Sequence, residues 1–262
     1  MGKILTLARG GLGGLGLLAP GRAIAVRPPD TFIVSYPRSG NTWMRFLLGN
    51  LVHPQRPLDL RSVEELVPDI YVRAGKHIAR LPDPRLLKSH EPFEHRYPNV
   101  IYIVRDPRQV VASYHRWHRK TRMIPDDYPV AAYVKRFVTG SVGPYGNWAE
   151  HVGSWLGARG DNGRFLLVRY EDLVRSPECV LTDLCRFLEL DRSAPAVEQA
   201  VRRSSLSRLR ELERTQGSRW ATQWGGRPDV PFFGDAELGF SDRDVKPITE
   251  AFGAQMRRLG YE

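Results

Sequence analysis

Thr31–Val52 reads TFIVSYPRSGNTWMRFLLGNLV, and this stretch decides the fold. An apolar, strand-like run ends at Ser35, and small and polar residues follow from Tyr36 to Thr42. A helical pattern then begins, with Trp43, Phe46, Leu47 and Asn50 on one side. A turn that leads into a helix N-terminus presents unpaired N–H groups at the positive end of the helix dipole. Gly40 lets a ligand approach the backbone. Ser39, Asn41 and Thr42 add side-chain donors, and Arg38 adds a fixed positive charge. The turn is therefore an anion cradle. It is not a Walker loop, because no Gly-Lys pair is present to carry a nucleoside triphosphate and its magnesium. A phosphate-like group handled without a metal is the expected ligand.

Three more strand-like runs follow, at Arg85–Lys88, Val100–Val104 and Phe165–Val168. Each leads toward a helix or a loop that closes a βα unit. Helix starts are marked by Asp106-Pro107, by Ser176-Pro177-Glu178 and by the capping-box pattern Ser241 to Asp244. Alternating strands and helices predict an α/β domain with a parallel sheet flanked by helices. Two stretches read as loop-rich, 53–84 and 122–146, and loops this long are expected to shape a pocket mouth.

The chain has 262 residues, 42% of them hydrophobic, which suffices for a substantial core. Lys+Arg number 39 against Asp+Glu 29, a net charge of +10, which points to an anionic partner. The two cysteines, Cys179 and Cys185, are six apart on a predicted helix and should not pair. Neither a disulfide scaffold nor a zinc site is expected. The first 29 residues read as an N-terminal arm, loosely held or lying at a membrane interface, in preference to a cleaved signal. The arm contains no apolar stretch near the roughly 20 residues that span a bilayer.

A second anion site is expected around Arg105, which falls at the C-terminal end of a strand, with Ser113 two turns into the next helix. By itself, Arg105-Asp106-Pro107 reads equally well as a structural salt bridge with a cap. Four motifs then occur in order: YPRSGNTW (36–43), LKSH (87–90), RDPRQVVASY (105–114) and LLVRYEDLVRSP (166–177). Together they resemble the P-loop-like sulfotransferases that use 3′-phosphoadenosine 5′-phosphosulfate (PAPS), and the resemblance runs from about residue 31 to the C-terminus.

The resemblance implies a single P-loop NTPase-like domain over 30–262 and a set of roles. Arg38, Ser39, Gly40, Asn41, Thr42 and Trp43 would hold the phosphosulfate, with Trp43 also near adenine. Arg105 and Ser113 would take the 3′-phosphate, and Tyr170 would touch the cofactor. Ser204 and Leu206 would line the adenine pocket. Arg227 would close on the 3′-phosphate, although the family's Arg-Lys-Gly spelling is absent. His90 would be the general base, and Lys88 would join Arg38 on the sulfuryl oxygens. The other six histidines, His151 included, have no such context. The expected acceptor is a small molecule, glycan or lipid bearing a hydroxyl or amine. The basic run HRWHRKTR (115–122) also raises nucleic-acid binding as a competing reading, and a P-loop small-molecule kinase is another. No nucleic-acid partner and no metal are expected, and the protein is expected to be cytoplasmic with at most a peripheral membrane contact.

Overall fold

The structure, a computed structural model, describes residues 24–159, 164–217, 226–234 and 240–261. Four strands form one parallel sheet: β1 (Thr31–Ser35), β2 (Leu86–Ser89), β3 (Asn99–Val104) and β4 (Phe165–Arg169), in the order β2-β1-β3-β4. All four lie within a residue of the stretches that the hydrophobic runs predict. The register aligns Ile33 with Lys88 on one side and with Ile101 on the other.

Strand period two divides the core into two layers. Phe32, Val34, Leu87, Val100, Tyr102 and Val104 face one layer, and Ile33, Leu86, Ile101, Ile103 and Val168 face the other. The first layer is covered by α4 (Pro107–Lys120), α5 (Val130–Val138), α6 (Trp148–Arg159) and α11 (Asp242–Arg258). The second is covered by α1 (Asn41–Val52), α7 (Tyr170–Arg175), α8 (Pro177–Phe187) and α9 (Ala194–Arg203). Residues of α1, α4 and α10 (Leu206–Gln216) meet Phe232 and Phe233 in a smaller third cluster.

Of the three helix starts marked in the sequence, two carry the expected side-chain cap. Asp106 accepts from the Arg108 backbone N–H, and Ser241 with Asp244 forms a reciprocal capping box. Ser176 makes no side-chain cap bond, so Pro177 alone marks that start. Cys179 and Cys185 both lie on α8 as free thiols.

The loop-rich stretches hold more structure than expected. Residues 53–84 contain α2 (Ser62–Leu66) and α3 (Gly75–Ala79), and α5 lies within 122–146. On α5, buried Tyr133, Val134 and Phe137 recur at helical spacing, with Pro129 at the N-cap. Residues 24–29, placed in the arm by the sequence reading, pack onto the domain. Ile24 is buried, and the Ala25 carbonyl accepts from Arg85. The rest of the arm lies outside the described residues. Among the described residues no helix is long and apolar enough to cross a membrane.

β1 is the strand on whose two sides the chain winds in opposite directions, first to β2 and then back to β3. In open α/β sheets the ends of such neighbouring strands part and leave a crevice at their C-terminal edge. The loop after β1, the loop after β3 and the residues after β2 all open into that crevice.

Candidate active site

The β1–α1 turn is built around two residues in left-handed backbone, Arg38 at φ 71° and Gly40 at φ 96°. Gly40 is required twice over. Its φ suits glycine, and a Cβ there would meet Tyr170 ring carbons at 2.5 and 2.9 Å. The Tyr170 ring stands between this turn and Arg105, whose guanidinium lies 4.1 Å from the ring centroid. Trp43, on the first turn of α1, meets the same ring edge-on at 5.9 Å.

Arginine side chains converge on this plate. Arg38 Nε donates to Ser113 Oγ at 3.2 Å, and Arg105 Nη1 donates to the Arg38 carbonyl at 3.3 Å. Among the described residues neither arginine has a carboxylate in ion-pair contact. Burial and then repulsion by Arg116 and Arg105 push the Arg38 guanidinium down to about 9. Burial also lowers Arg105. Beside them the buried hydroxyl of Ser39 has no hydrogen-bond partner. Two desolvated cations and an orphaned donor at a helix N-terminus call for an anion.

His90 follows β2 and is held from three directions. Its Nδ1 lies 2.7 Å from the Ser35 carbonyl, its backbone N–H donates to the Tyr71 hydroxyl at 3.0 Å, and its own carbonyl accepts from His151 Nε2 at 3.0 Å. A carbonyl can only accept, so Nδ1 carries the proton and Nε2 keeps its lone pair. Nε2 makes no hydrogen bond among the described residues. Burial first, and Lys88 second, hold the imidazole well below its usual 6.5, so it is a neutral base at neutral pH. Tyr71 and Tyr145 flank the ring, with centroids 6.4 and 5.7 Å from His90. They come from the two stretches read as loop-rich and bring both stretches against His90.

The remaining expected residues divide. Ser113 and Tyr170 lie in the crevice with Arg38 and Arg105. The Thr42 hydroxyl, on the first turn of α1, makes no hydrogen bond among the described residues. Asn41 does not present its side-chain amide to the crevice. The amide donates to the Ile33 carbonyl at 2.9 Å and toward Ser35 Oγ and the Ser89 carbonyl, tying β1 to β2 beneath the turn. Ser204 is fully buried; its carbonyl accepts from Trp43 Nε1 and its hydroxyl from Asn50, so it locates the Trp43 ring. Leu206, at the start of α10, is 39% exposed. Lys88 is ion-paired with buried Asp69 and acts electrostatically on His90. Arg227 is not brought to the crevice. Its guanidinium is clamped by Asp126 and Asp229, both exposed, and such pairing leaves no free fork for a phosphate.

Sequence reasoning passed over His151 and Phe232. The Phe232 carbonyl accepts from Arg38 Nη2 at 3.4 Å, and its ring lies 4.4 Å from the Arg38 guanidinium. The basic run 115–122 also reads differently in three dimensions. His115, His118 and Lys120 are buried, and Lys120 pairs with Glu213, so these three are not offered to a polyanion.

The geometry defines an α/β domain with two arginines gathered at the switch point of its sheet, beside a neutral histidine. The chain belongs to the sulfotransferase family: the sulfotransferase domain model matches residues 28–235. The 3-beta-hydroxysteroid sulfotransferase of Cavia porcellus is 29% identical over 72% of this chain and 68% of its own length. Sulfotransferase 4A1 of Homo sapiens is 33% identical over 62% of this chain and 61% of its own length. Mouse sulfotransferase SULT7A1, solved in complex with PAP, superposes with a TM-score of 0.71 at 23% identity, over 90% of this chain and 87% of that one. A retinol dehydratase solved with androsterone and PAP gives the same TM-score at 17% identity, over 91% and 84%. These structures share the fold.

Proposed function

We propose that this sulfotransferase takes its sulfuryl group from PAPS and passes it to a hydroxyl of a small-molecule acceptor, with His90 as the base. The observation that carries the reading is the pair Arg38 and Arg105. Arg105 is buried and Arg38 part-buried, they lie close together, and among the described residues neither has a carboxylate partner; beside them stands a histidine whose Nε2 keeps a free lone pair.

The donor's phosphosulfate would lie on the N–H groups of residues 40–43, with Arg38 facing the charge on the sulfuryl oxygens. Arg38 keeps its proton at neutral pH, so its contribution is electrostatic. Arg105 and Ser113 take the 3′-phosphate, and the rings of Tyr170 and Trp43 offer a face to adenine. The acceptor hydroxyl approaches His90 Nε2 beside the rings of Tyr71 and Tyr145. As its oxygen forms the new S–O bond, its proton passes to His90 Nε2. The bond between sulfur and the bridging phosphate oxygen breaks, and adenosine 3′,5′-bisphosphate (PAP) leaves with the electron pair. The Nδ1–H bond to Ser35 fixes the tautomer this step needs and stabilises the imidazolium that results. Arginine and backbone N–H groups supply the positive charge, and no metal is needed.

A small acceptor is supported by a relative named for a hydroxysteroid substrate. The test is calorimetric titration with PAP, followed by transfer of labelled sulfate from PAPS to a panel of hydroxysteroids, phenols, sugars and amines. Tight PAP binding with transfer to a hydroxyl is expected. Absence of PAP binding overturns the donor assignment, and exclusive transfer to amines overturns the acceptor class.

A further inference from the structure

Helix α6 places Trp148, His151 and Trp155 on one face, at i, i+3 and i+7. All three are buried, and each directs a ring N–H at a backbone carbonyl just beyond a strand end. Trp148 Nε1 donates to Arg105 at 3.1 Å, His151 Nε2 to His90 at 3.0 Å and Trp155 Nε1 to Glu91 at 3.0 Å. The helix runs back along the sheet from the β3 exit, where Trp148 holds Arg105, toward the start of β4, where Trp155 stacks on Phe165, and on the way His151 and Trp155 hold the two residues that follow β2.

We propose that α6 is a bracket that sets the spacing between the base and the donor's arginine, and that His151 is the positioning residue for His90. The proposal rests on the sulfotransferase reading of those two residues. His151 is suited to the task because both of its nitrogens are committed. The His90 carbonyl can only accept, so Nε2 bears the proton, and Nδ1 accepts from the Tyr102 hydroxyl at 2.8 Å. Tyr102 lies on β3, so the pair Tyr102–His151 ties the strand that leads to Arg105 to the residue that carries the base. Burial keeps the ring neutral, down to about 4. The Tyr36 ring packs edge-on against it at 5.5 Å. With Ser35 at Nδ1 and Tyr71 at the backbone N–H, His151 completes a three-point fixation of His90.

The test uses ¹⁵N-histidine NMR for the tautomers of His90 and His151, with PAP calorimetry alongside. In the wild type each ring should show one tautomer, Nδ1–H for His90 and Nε2–H for His151. His151→Leu should release the His90 carbonyl and give His90 a mixture of tautomers, while PAP affinity stays within about twofold. His151→Gln, whose amide can reach the same carbonyl, should restore the single form. Trp148→Phe should do the reverse: weaken PAP by about 2- to 10-fold, the loss of one hydrogen bond, and leave His90 unchanged. If His151→Leu does not fold, Tyr102→Phe serves, because it frees Nδ1 of His151 and should loosen both rings. A single unaltered His90 tautomer in folded His151→Leu, or in Tyr102→Phe where that variant is used instead, overturns the proposal, as does a fall in PAP affinity that tracks the His90 change. Failure of the wild type to bind PAP would overturn the donor reading instead, and the tautomer result would still decide the role of His151.

Discussion

Gly40→Ala is the most demanding test of the donor turn, because the structure fixes its cost in two separate parts. The backbone stands at φ 96°, where an L-residue with a Cβ costs about 1–2 kcal/mol. The added methyl then meets the Tyr170 ring at 2.5 Å. That ring is not a loose side-chain end, since Arg105 and Trp43 hold it. Overpacking of this kind costs about 1–3 kcal/mol. A total of about 2–5 kcal/mol corresponds, for a domain of this size, to a fall in Tm of about 4–20 °C. PAP affinity should fall as well, because relief of the overlap must move Tyr170 away from Arg105. The assay is scanning calorimetry with and without PAP on the wild type, Gly40→Ala, Tyr170→Ala and the double variant. The double variant should lose less than the sum, with a coupling of about 1–2 kcal/mol. A Gly40→Ala protein that melts within about 2 °C of the wild type would refute the reasoning, and strict additivity would refute the contact.

Arg105→Ala should weaken PAP by about 10- to 150-fold, the equivalent of one charge-assisted hydrogen bond of roughly 1.5–3 kcal/mol; calorimetry decides, and an unchanged Kd removes the 3′-phosphate assignment. His90→Ala should lower kcat by about 10²–10⁴-fold with PAP affinity intact, as read by steady-state turnover beside calorimetry. Because the His90 pKa lies below 6.5, the wild-type rate toward a hydroxyl acceptor should be flat through neutral pH and fall only on the acid side. Buried His118 and His151, each lowered to about 4, are neutral in the folded chain and charged in the unfolded one below 6.5, so stability is full above 6.5 and lost as pH falls. By pH 4 the loss is roughly 3 kcal/mol for each ring, and urea midpoints across pH 4–7 should show it. EDTA should leave transfer from PAPS unchanged; loss of turnover restored by magnesium would refute the metal-free charge balance.

The sheet was legible because the strands of a parallel sheet are buried on both faces and read as apolar runs. The donor turn was legible because Gly40, Ser39 and Arg38 follow such a run directly. Arg227 was not, since its partner Asp126 is 101 residues away and surface pairing leaves no local trace. Asn41 looked like a donor to the ligand, but its buried amide was needed under the sheet. The α5 helix was missed inside a polar, Pro-flanked stretch, although Tyr133, Val134 and Phe137 carry a helical period. His151 lacked motif context, yet the stretch WAEHVGSW holds its signal: three ring N–H donors on one helix face.

The crowding of Arg38, Arg105 and Arg116 bears on bench conditions. A cleft that concentrates positive charge and supplies ready-made N–H groups cannot tell a donor's phosphate from a buffer's. Sulfate and inorganic phosphate should therefore compete with PAPS, raise the melting temperature of the ligand-free protein more than chloride at equal ionic strength, and make apparent donor affinity depend on the choice of buffer salt.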